Sequence, residues 1–257
     1  SCSQCSNGIV SMANGCEKRT SGGAGSDHAP IARMIRSRSS ASAASRVCLW
    51  SMTAALCTSV EASATRAGLT VLRTCATVGA MSDRFDEHLA LTRRDGFAIL
   101  TLDRGAKRNA LTFGMRRGIA AALAGAAADD ALACLVLHGA APDFCAGMDV
   151  SRFGGDADNR KEIVDSTTAL FDGLASFPKP LVAAVEGRAL GGGLGLLLAC
   201  DVRIAGRGAL FGMPEVKFGA AGGYAALRAA VGDGVARALA LTARSFDAEE
   251  AHRLGML

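Results

Sequence analysis

The sequence lacks several features that would define an obvious class of protein. No apolar run reaches the roughly 18–20 residues that a membrane helix needs, so we expect no membrane partner. No Walker pattern for binding nucleotide phosphates is present. Residues 1–80 hold 8 Lys/Arg against 3 Asp/Glu, whereas residues 81–257 hold 20 against 21. Because the main body of the chain has no basic excess, we predict no nucleic-acid partner.

Metal-ligand spacing is nearly absent, although the chain has 9 cysteines. Cys2 and Cys5 have the spacing of a zinc-binding pair, but no second Cys/His pair follows at a fitting distance. We therefore predict no metal site. Cys134, Cys145 and Cys200 lie in apolar or glycine-rich contexts. We expect these three to be buried, reduced thiols, as is typical of a cytosolic protein.

Residues 1–80 allow three interpretations. Val47–Val60 followed by Ala62-Ser63-Ala64 resembles a signal-peptide core and cleavage site, but it lies too far from the start of the chain. The Ser- and Arg-rich, acid-poor composition also resembles an organelle transit peptide, which would imply a mitochondrial protein. We favour the third, a low-complexity, disordered extension or a misassigned start, with a cytoplasmic protein beginning at Met81-Ser82. Lacking an initial Met and a closing element after Leu257, the chain is expected to be a fragment at both ends.

From about Asp83 onward the sequence alternates between strand and helix patterns. This alternation predicts an α/β fold with a mainly parallel sheet. Ligands in such sheets bind beyond the carboxyl ends of the strands, so the loops after His138 and Val185 are candidate sites. The predicted strands are Phe97–Arg104, Ala131–His138, Leu181–Val185, Val202–Ala205 and Ala209–Phe211, and the predicted helices are 113–128 with Thr112 as N-cap, Arg160–Phe177, Leu194–Ala199 and Ala225–Thr242.

Three consecutive glycines, 191–193, follow the predicted strand that ends at Val185. Such a run is costly in backbone entropy, so we expect that bare backbone is needed there. The following helix offers unpaired N–H groups at its start, which favours an anion or oxyanion site. A dinucleotide-binding glycine motif would need a further glycine at position 196 or 198, and both are leucine. A nicotinamide-dependent enzyme is therefore a weak alternative.

Two further segments could carry chemistry. The loop Asp143–Asp149 is rich in small residues that would let a ligand lie against the backbone; alternatively, it is a tight turn that Asp149 caps. Glu215 follows Met213-Pro214 at the end of a short apolar strand. A carboxylate in apolar surroundings has a raised pKa and suits proton transfer. The alternative is an ordinary acid near solvent at a helix N-terminus.

Taken together, these segments resemble the crotonase, or enoyl-CoA hydratase/isomerase, superfamily. The resemblance covers about Phe97 to Leu257 and excludes residues 1–80. It rests on Arg104 with Lys107–Leu111, Phe144–Asp149, the segment Pro180–Gly187, Ala189–Gly193, Cys200–Ala205 and Phe211–Val216.

The resemblance implies a crotonase-like ββα spiral (the ClpP/crotonase fold) and an acyl-CoA thioester substrate. It implies an oxyanion hole formed by the backbone N–H groups of Met148 and Gly192, with Glu215 as the acid/base. No cofactor is implied, since coenzyme A is part of the substrate. The resemblance, together with the glycine-rich loops, assigns to CoA or substrate binding Lys107, Arg108, Ala110, Ala146, Gly147, Asp149 and Gly191. For Lys107 and Arg108, the alternative is a solvated charged turn.

The chain departs from the family pattern in three places. Family hydratases carry two glutamates; the second matches Glu215, but the first matches Gly195. One carboxylate suffices to move a double bond, so we expect isomerisation, or weak or unusual hydration, with a non-catalytic acyl-CoA-binding protein as the alternative. The loop Val216–Gly223 is shorter than is usual in the family. The family's C-terminal helices, which help to build trimers and hexamers, would follow Leu257 and are expected to be missing.

Overall fold

The computed structural model describes residues 9–10 and 82–257. The predictions made for the rest of residues 1–80, including the Cys2/Cys5 pair and the signal-like run, lie outside the described residues. The strands are β1 (Ile9–Val10), β2 (Ser82–Asp86), β3 (Leu89–Arg94), β4 (Phe97–Leu102), β5 (Cys134–Gly139), β6 (Leu181–Val185), β7 (Arg188–Leu190), β8 (Val202–Gly206), β9 (Leu210–Gly212) and β10 (Ser245–Asp247). The α-helices are α1 (Phe113–Ala128), α2 (Ala157–Ser176), α3 (Gly192–Leu198), α4 (Tyr224–Val231), α5 (Asp233–Thr242) and α6 (Ala248–Arg253).

A seven-stranded sheet with the order β1-β8-β6-β5-β4-β3-β2 forms the larger layer. Its central strands β4, β5, β6 and β8 are parallel, and the strands at both edges are antiparallel. The predicted α/β fold is therefore confirmed, but the prediction of a mainly parallel sheet holds only for the centre, because three of the six strand pairings in this sheet are antiparallel. A smaller sheet has the order β10-β9-β7, in which β7 and β9 are parallel. Parallel strands at the centre place the carboxyl ends of β5 and β6 at one edge of the sheet, next to the loops that follow them.

The helices form because their sequences supply caps and an apolar face. The Thr112 side chain accepts a hydrogen bond from the Met115 amide, which confirms the predicted N-cap of α1. Helix α2 packs closely on α1, since an added Cβ at Gly173 would lie 3.5 Å from the Ala120 Cα. The two helices share the main hydrophobic core with one face of the larger sheet. A smaller cluster on the opposite face of that sheet is formed by Ile99, Cys134, Val136 and Val182.

Three helix predictions are wrong in detail. Helix α2 begins at Ala157 rather than at Arg160, because the Asp156 side chain caps it by accepting a hydrogen bond from the Asn159 amide. Helix α3 begins at Gly192 rather than at Leu194, because two of the three glycines form its first turn. The segment predicted as one helix from Ala225 to Thr242 is two helices, since Gly232 between them has φ +82°. Within the described part of the chain, none of the helices is both long and apolar enough to cross a membrane.

Candidate active site

The two loops that the sequence singled out are hydrogen-bonded to each other. The Cys145 amide donates to the Arg188 carbonyl at 2.9 Å, and the Leu190 amide donates to the Cys145 carbonyl at 3.0 Å. On its other side the first loop pairs with Leu111, whose amide donates to the Gly147 carbonyl at 2.8 Å. Residues 145–149 are thus fixed between two other segments before any ligand is present.

Bare backbone is needed where these loops meet. Gly147 has φ +102°, and an added Cβ there would lie 2.8 Å from the Leu190 carbonyl oxygen and 3.3 Å from the Gly192 nitrogen. The Met148 side chain packs over Gly192, with its Cε 3.2 Å from the position of an added Cβ. Met148 and Gly192, whose amides are the predicted donors, are therefore neighbours in the structure. Among the described residues, neither amide has a hydrogen-bond acceptor.

Glu215 lies on a short 3₁₀ turn, Pro214–Phe218, rather than at the end of a strand. An added Cβ at Gly191 would lie 2.7 Å from the Glu215 Oε1, and one at Gly222 would lie 3.2 Å from its Cδ. The carboxylate thus rests directly on glycine backbone. Burial raises the pKa of the half-buried Glu215 above its ordinary value. Its Oε2 is buried and has no hydrogen-bond partner within residues 9–10 and 82–257.

Gly195, where family hydratases have their first glutamate, is buried in α3. The ring of Phe171 on α2 covers it, with Cζ 3.0 Å and Cε1 3.2 Å from the position of an added Cβ. The sequence signal for Phe171 was only its place in the apolar periodicity of α2. That periodicity predicts an inward-facing side chain but does not identify its neighbour.

The predicted CoA-binding cations lie on the surface beside this site. Lys107 and Arg108 are exposed. Asp143 is buried, and its Oδ2 lies 3.8 Å from the Arg108 Nε and 3.5 Å from the Arg188 Nη1. Sequence reasoning missed Arg188, because nothing in its own segment indicates that folding places it next to Arg108. Asp143 offsets only one of the three positive charges, so the group remains cationic.

The remaining predicted contacts shape this turn through their backbone. The Ala146 amide donates to the Arg108 carbonyl at 2.9 Å, and the Ala110 carbonyl accepts from the Arg104 Nη1 at 3.0 Å. Asn109, which sequence reasoning did not single out beyond its motif, is fully buried, and its Nδ2 donates to the carbonyls of Ala140 and Asp143. This side chain connects the cationic turn to the loop that follows β5.

Asp149 is engaged by protein groups. It caps a 3₁₀ turn by accepting from the Ser151 amide, and its Oδ2 lies 2.8 Å from the Arg104 Nη1. Burial works against ionisation, but the hydrogen bonds from Ser151 and Arg104 hold the pKa of Asp149 below its usual value. This geometry favours the capping interpretation, and a direct contact with substrate stays a prediction.

The three cysteines of this part of the chain are free and buried, as predicted. Burial raises the pKa of Cys145 to about 12, so this thiol stays protonated although it lies in the wall of the site. Among residues 9–10 and 82–257, no three or more His, Cys, Asp or Glu side chains form a group that could hold a metal ion.

Comparison with known proteins identifies the family. Residues 92–257 match the family model described as enoyl-CoA hydratase/isomerase. The chain is 37% identical over 172 residues to 2,3-dehydroadipyl-CoA hydratase of Escherichia coli (strain K12), covering 66% of this chain and 67% of that protein. It is 31% identical over 167 residues to the mouse mitochondrial methylglutaconyl-CoA hydratase, covering 63% and 53%.

Solved structures agree with this assignment. A crystal structure of enoyl-CoA hydratase from Bacillus anthracis matches with a TM-score of 0.63 and 29% identity, covering 66% of this chain and 69% of that one. The chain belongs to the enoyl-CoA hydratase/isomerase family and has the crotonase fold. It spans about two thirds of the length of the E. coli hydratase and of the B. anthracis structure.

Proposed function

We propose that the protein is an acyl-CoA enzyme whose Met148 and Gly192 amides hold the thioester oxygen while Glu215 moves a proton. The observation that carries this proposal is the juxtaposition of two unpaired amides with a half-buried carboxylate that rests on bare glycine backbone. Two aligned donors stabilise an oxyanion without reorganisation, and the loss of one such donor typically costs ~10²–10³ in rate.

The favoured reaction is migration of a double bond from C3 to C2 of an enoyl-CoA. The Glu215 carboxylate removes a proton from C2, and the electrons of that C–H bond form the enolate, whose oxygen accepts the two hydrogen bonds. As the enolate re-forms the thioester carbonyl, a double bond forms between C2 and C3, and the electrons of the former C3=C4 bond take the proton that Glu215 returns to C4. The proton that leaves is the proton that returns, so one carboxylate and no added cofactor suffice.

Hydration is the less favoured reaction because it requires a bound water molecule. In the two-glutamate arrangement, one carboxylate takes a proton from the water and the other helps to hold it. Gly195 supplies no second carboxylate, and the Phe171 ring lies where its side chain would extend. The same observation keeps a second candidate open, namely an acyl-CoA-binding protein without turnover.

CoA recognition in this proposal uses the cationic group formed by Lys107, Arg108 and Arg188. Arg108 and Arg188 lie together because both face the Asp143 carboxylate, and Lys107 precedes Arg108 in the same exposed turn. The cationic side chains suit the phosphates of CoA. Where the family's C-terminal helices are present, the proposed assembly is a homotrimer or hexamer.

The test compares a 3-enoyl-CoA with crotonyl-CoA on the full-length protein, in wild-type and Glu215→Gln forms. Glu249→Gln is the matched control, because that side chain is 79% exposed and lies on α6. We expect isomerisation to exceed hydration, and Glu215→Gln alone to lose ~10²–10⁴ in kcat. Full activity of Glu215→Gln on both substrates would show that the role of Glu215 is wrong. Binding of both thioesters without turnover would favour the non-catalytic candidate.

A further inference from the structure

We infer that Phe171 is a specificity-determining residue, which closes position 195 to side chains and to the water that hydration requires. This inference rests on the proposed acyl-CoA chemistry but concerns a side chain from a different element. Where family hydratases have their first glutamate side chain, this protein has an aromatic ring from α2.

Position 195 lies next to the proposed reacting centre. It is three residues after Gly192 in α3, and residues with that spacing share one face of a helix. A side chain at 195 would therefore extend from the same face of α3 on which Gly192 lies. Glu215 rests on Gly191, the residue before that amide. Any group at 195 would therefore lie close to both the oxyanion and the acid/base.

The Phe171 ring leaves no space for such a group. A Cβ at 195 would come within 3.0 Å of the ring Cζ, so even an alanine requires the ring to shift by a few tenths of an ångström. A glutamate adds two further carbon atoms and a carboxylate along the same path. Phe171 is partly buried and packs against the main core, so a withdrawal of the ring would give up part of that packing.

The ring also changes what water can do there. An aromatic hydrocarbon face offers no strong hydrogen-bond acceptor, so a water beside Glu215 would have one carboxylate partner instead of two. A buried polar group with unsatisfied hydrogen bonds is costly, which disfavours ordered water at this position. A proton that shuttles on Glu215 needs no such water. Phe171 thus favours isomerisation over hydration.

Two substitutions separate the missing carboxylate from the ring that replaces it. We expect Gly195→Glu alone to stay a poor hydratase and to unfold roughly 3–10 °C lower, because it overpacks against the ring. In the Phe171→Ala background, Gly195→Glu should lower the unfolding temperature much less than it does in the wild type, and Phe171→Ala/Gly195→Glu should raise the ratio of hydration to isomerisation at least tenfold. Phe171→Ala alone should raise the ratio less.

The measurement is the partition of products from a 3-enoyl-CoA and from crotonyl-CoA, together with thermal unfolding of all four proteins. The matched control is Phe177→Ala, which removes a buried aromatic ring at the C-cap of the same helix. It should lower the unfolding temperature without changing the product ratio. A change in ratio equal to that of Phe171→Ala would mean that general loosening is responsible, which overturns the inference.

Three further outcomes are decisive. Gly195→Glu reaching the hydration of the double variant would overturn the inference, as would a double variant that isomerises normally without gaining hydration. If the wild type turned over neither substrate, the proposed function would fail. The unfolding temperatures would then still decide whether Phe171 closes position 195, because only a steric conflict makes the cost of Gly195→Glu depend on the ring.

Discussion

Two glycine-containing walls of the candidate site are used in opposite ways. At one wall, Gly191 and Gly222 leave room for the carboxylate of Glu215 to lie on the backbone. At the other, Gly195 leaves room for the ring of Phe171. A missing Cβ therefore does not specify what a site contains, because the neighbouring element supplies the occupant. In the proposed function, one wall receives the proton carrier Glu215 and the other an apolar ring, and the preference for isomerisation follows from that difference.

The largest effect should come from breaking the carboxylate wall. We expect Gly191→Ala to lower kcat by roughly 10²-fold, because Gly191 has φ +52° and a Cβ there would lie 2.7 Å from the Glu215 Oε1. Gly223→Ala is the matched control, since nothing lies within 4 Å of its added Cβ. Steady-state kinetics with a 3-enoyl-CoA would measure the loss, and equal rates for the two variants would contradict it.

The pH profile sharpens the comparison by titrating the proton carrier. Since burial raises the pKa of Glu215, kcat/KM should begin to fall at a pH above the ordinary 4.5 of a glutamate and drop about tenfold per pH unit below that pKa. Any residual activity of Glu215→Gln should lack this fall of kcat/KM at low pH. If the fall persisted in the variant, the titrating group would be a residue other than Glu215.

The same shift has a consequence for stability. A carboxyl whose folded-state pKa is raised binds its proton more tightly in the folded protein, so ionisation lowers stability as pH rises from 4.5 through the folded pKa. Glu215→Gln should therefore be at least as stable as the wild type at neutral pH. Urea unfolding at pH 7 measures this, with Glu249→Gln expected to be neutral.

A smaller effect is expected at the cationic group, outside both walls. Substituting Lys107, Arg108 or Arg188 by alanine should raise KM for an enoyl-CoA about 3- to 10-fold and leave kcat unchanged, because phosphate contacts bind substrate and transition state equally. The matching enoyl-pantetheine, which lacks the phosphates, should show no change. Arg253→Ala, an exposed arginine on α6, is the control.

The smallest effect on catalysis is expected at His138, which is 8% exposed near the end of β5. Burial lowers its pKa from 6.5 to about 4, so the unfolded chain takes up a proton first as pH falls. Stability present above pH 6.5 should be lost as pH falls towards 4, by about 3 kcal/mol at most. In urea unfolding, the free energy of unfolding of His138→Gln should fall less steeply with decreasing pH than that of the wild type. Equal slopes for the two proteins would show that His138 is not the group responsible.

Local signals in the sequence predicted most of the fold. Leu181–Val185 matches β6 residue for residue, because a short apolar run bounded by proline and glycine has few alternatives. The predicted α1 ends at Ala128 as observed, since Thr112 fixes its start and the alanine run ends there. The break at Gly232 was missed because an isolated glycine is tolerated within a helix, and only the backbone geometry shows φ +82°.

The candidate site was predictable where one segment carries the signal. The glycine turn and Glu215 are such segments, and the structure places them in contact. Phe171 and Arg188 could not be found this way, because each gains its meaning from a partner on another element. Asp149 shows that a motif can also suggest a role that the contacts do not support. The family resemblance assigns it to substrate binding, whereas its hydrogen bonds cap a 3₁₀ turn and its carboxylate pairs with Arg104.

The isolated bridges Leu111↔Met148 and Cys145↔Ala189 predict that the site forms late in folding. Each bridge joins segments that are far apart in the sequence, so two large loops must close before the Met148 and Gly192 amides take their positions. Contacts of such high contact order slow folding, and no short piece of this chain can form them alone. In refolding experiments, enoyl-CoA turnover should return only after the helical signal of α1 and α2 has recovered.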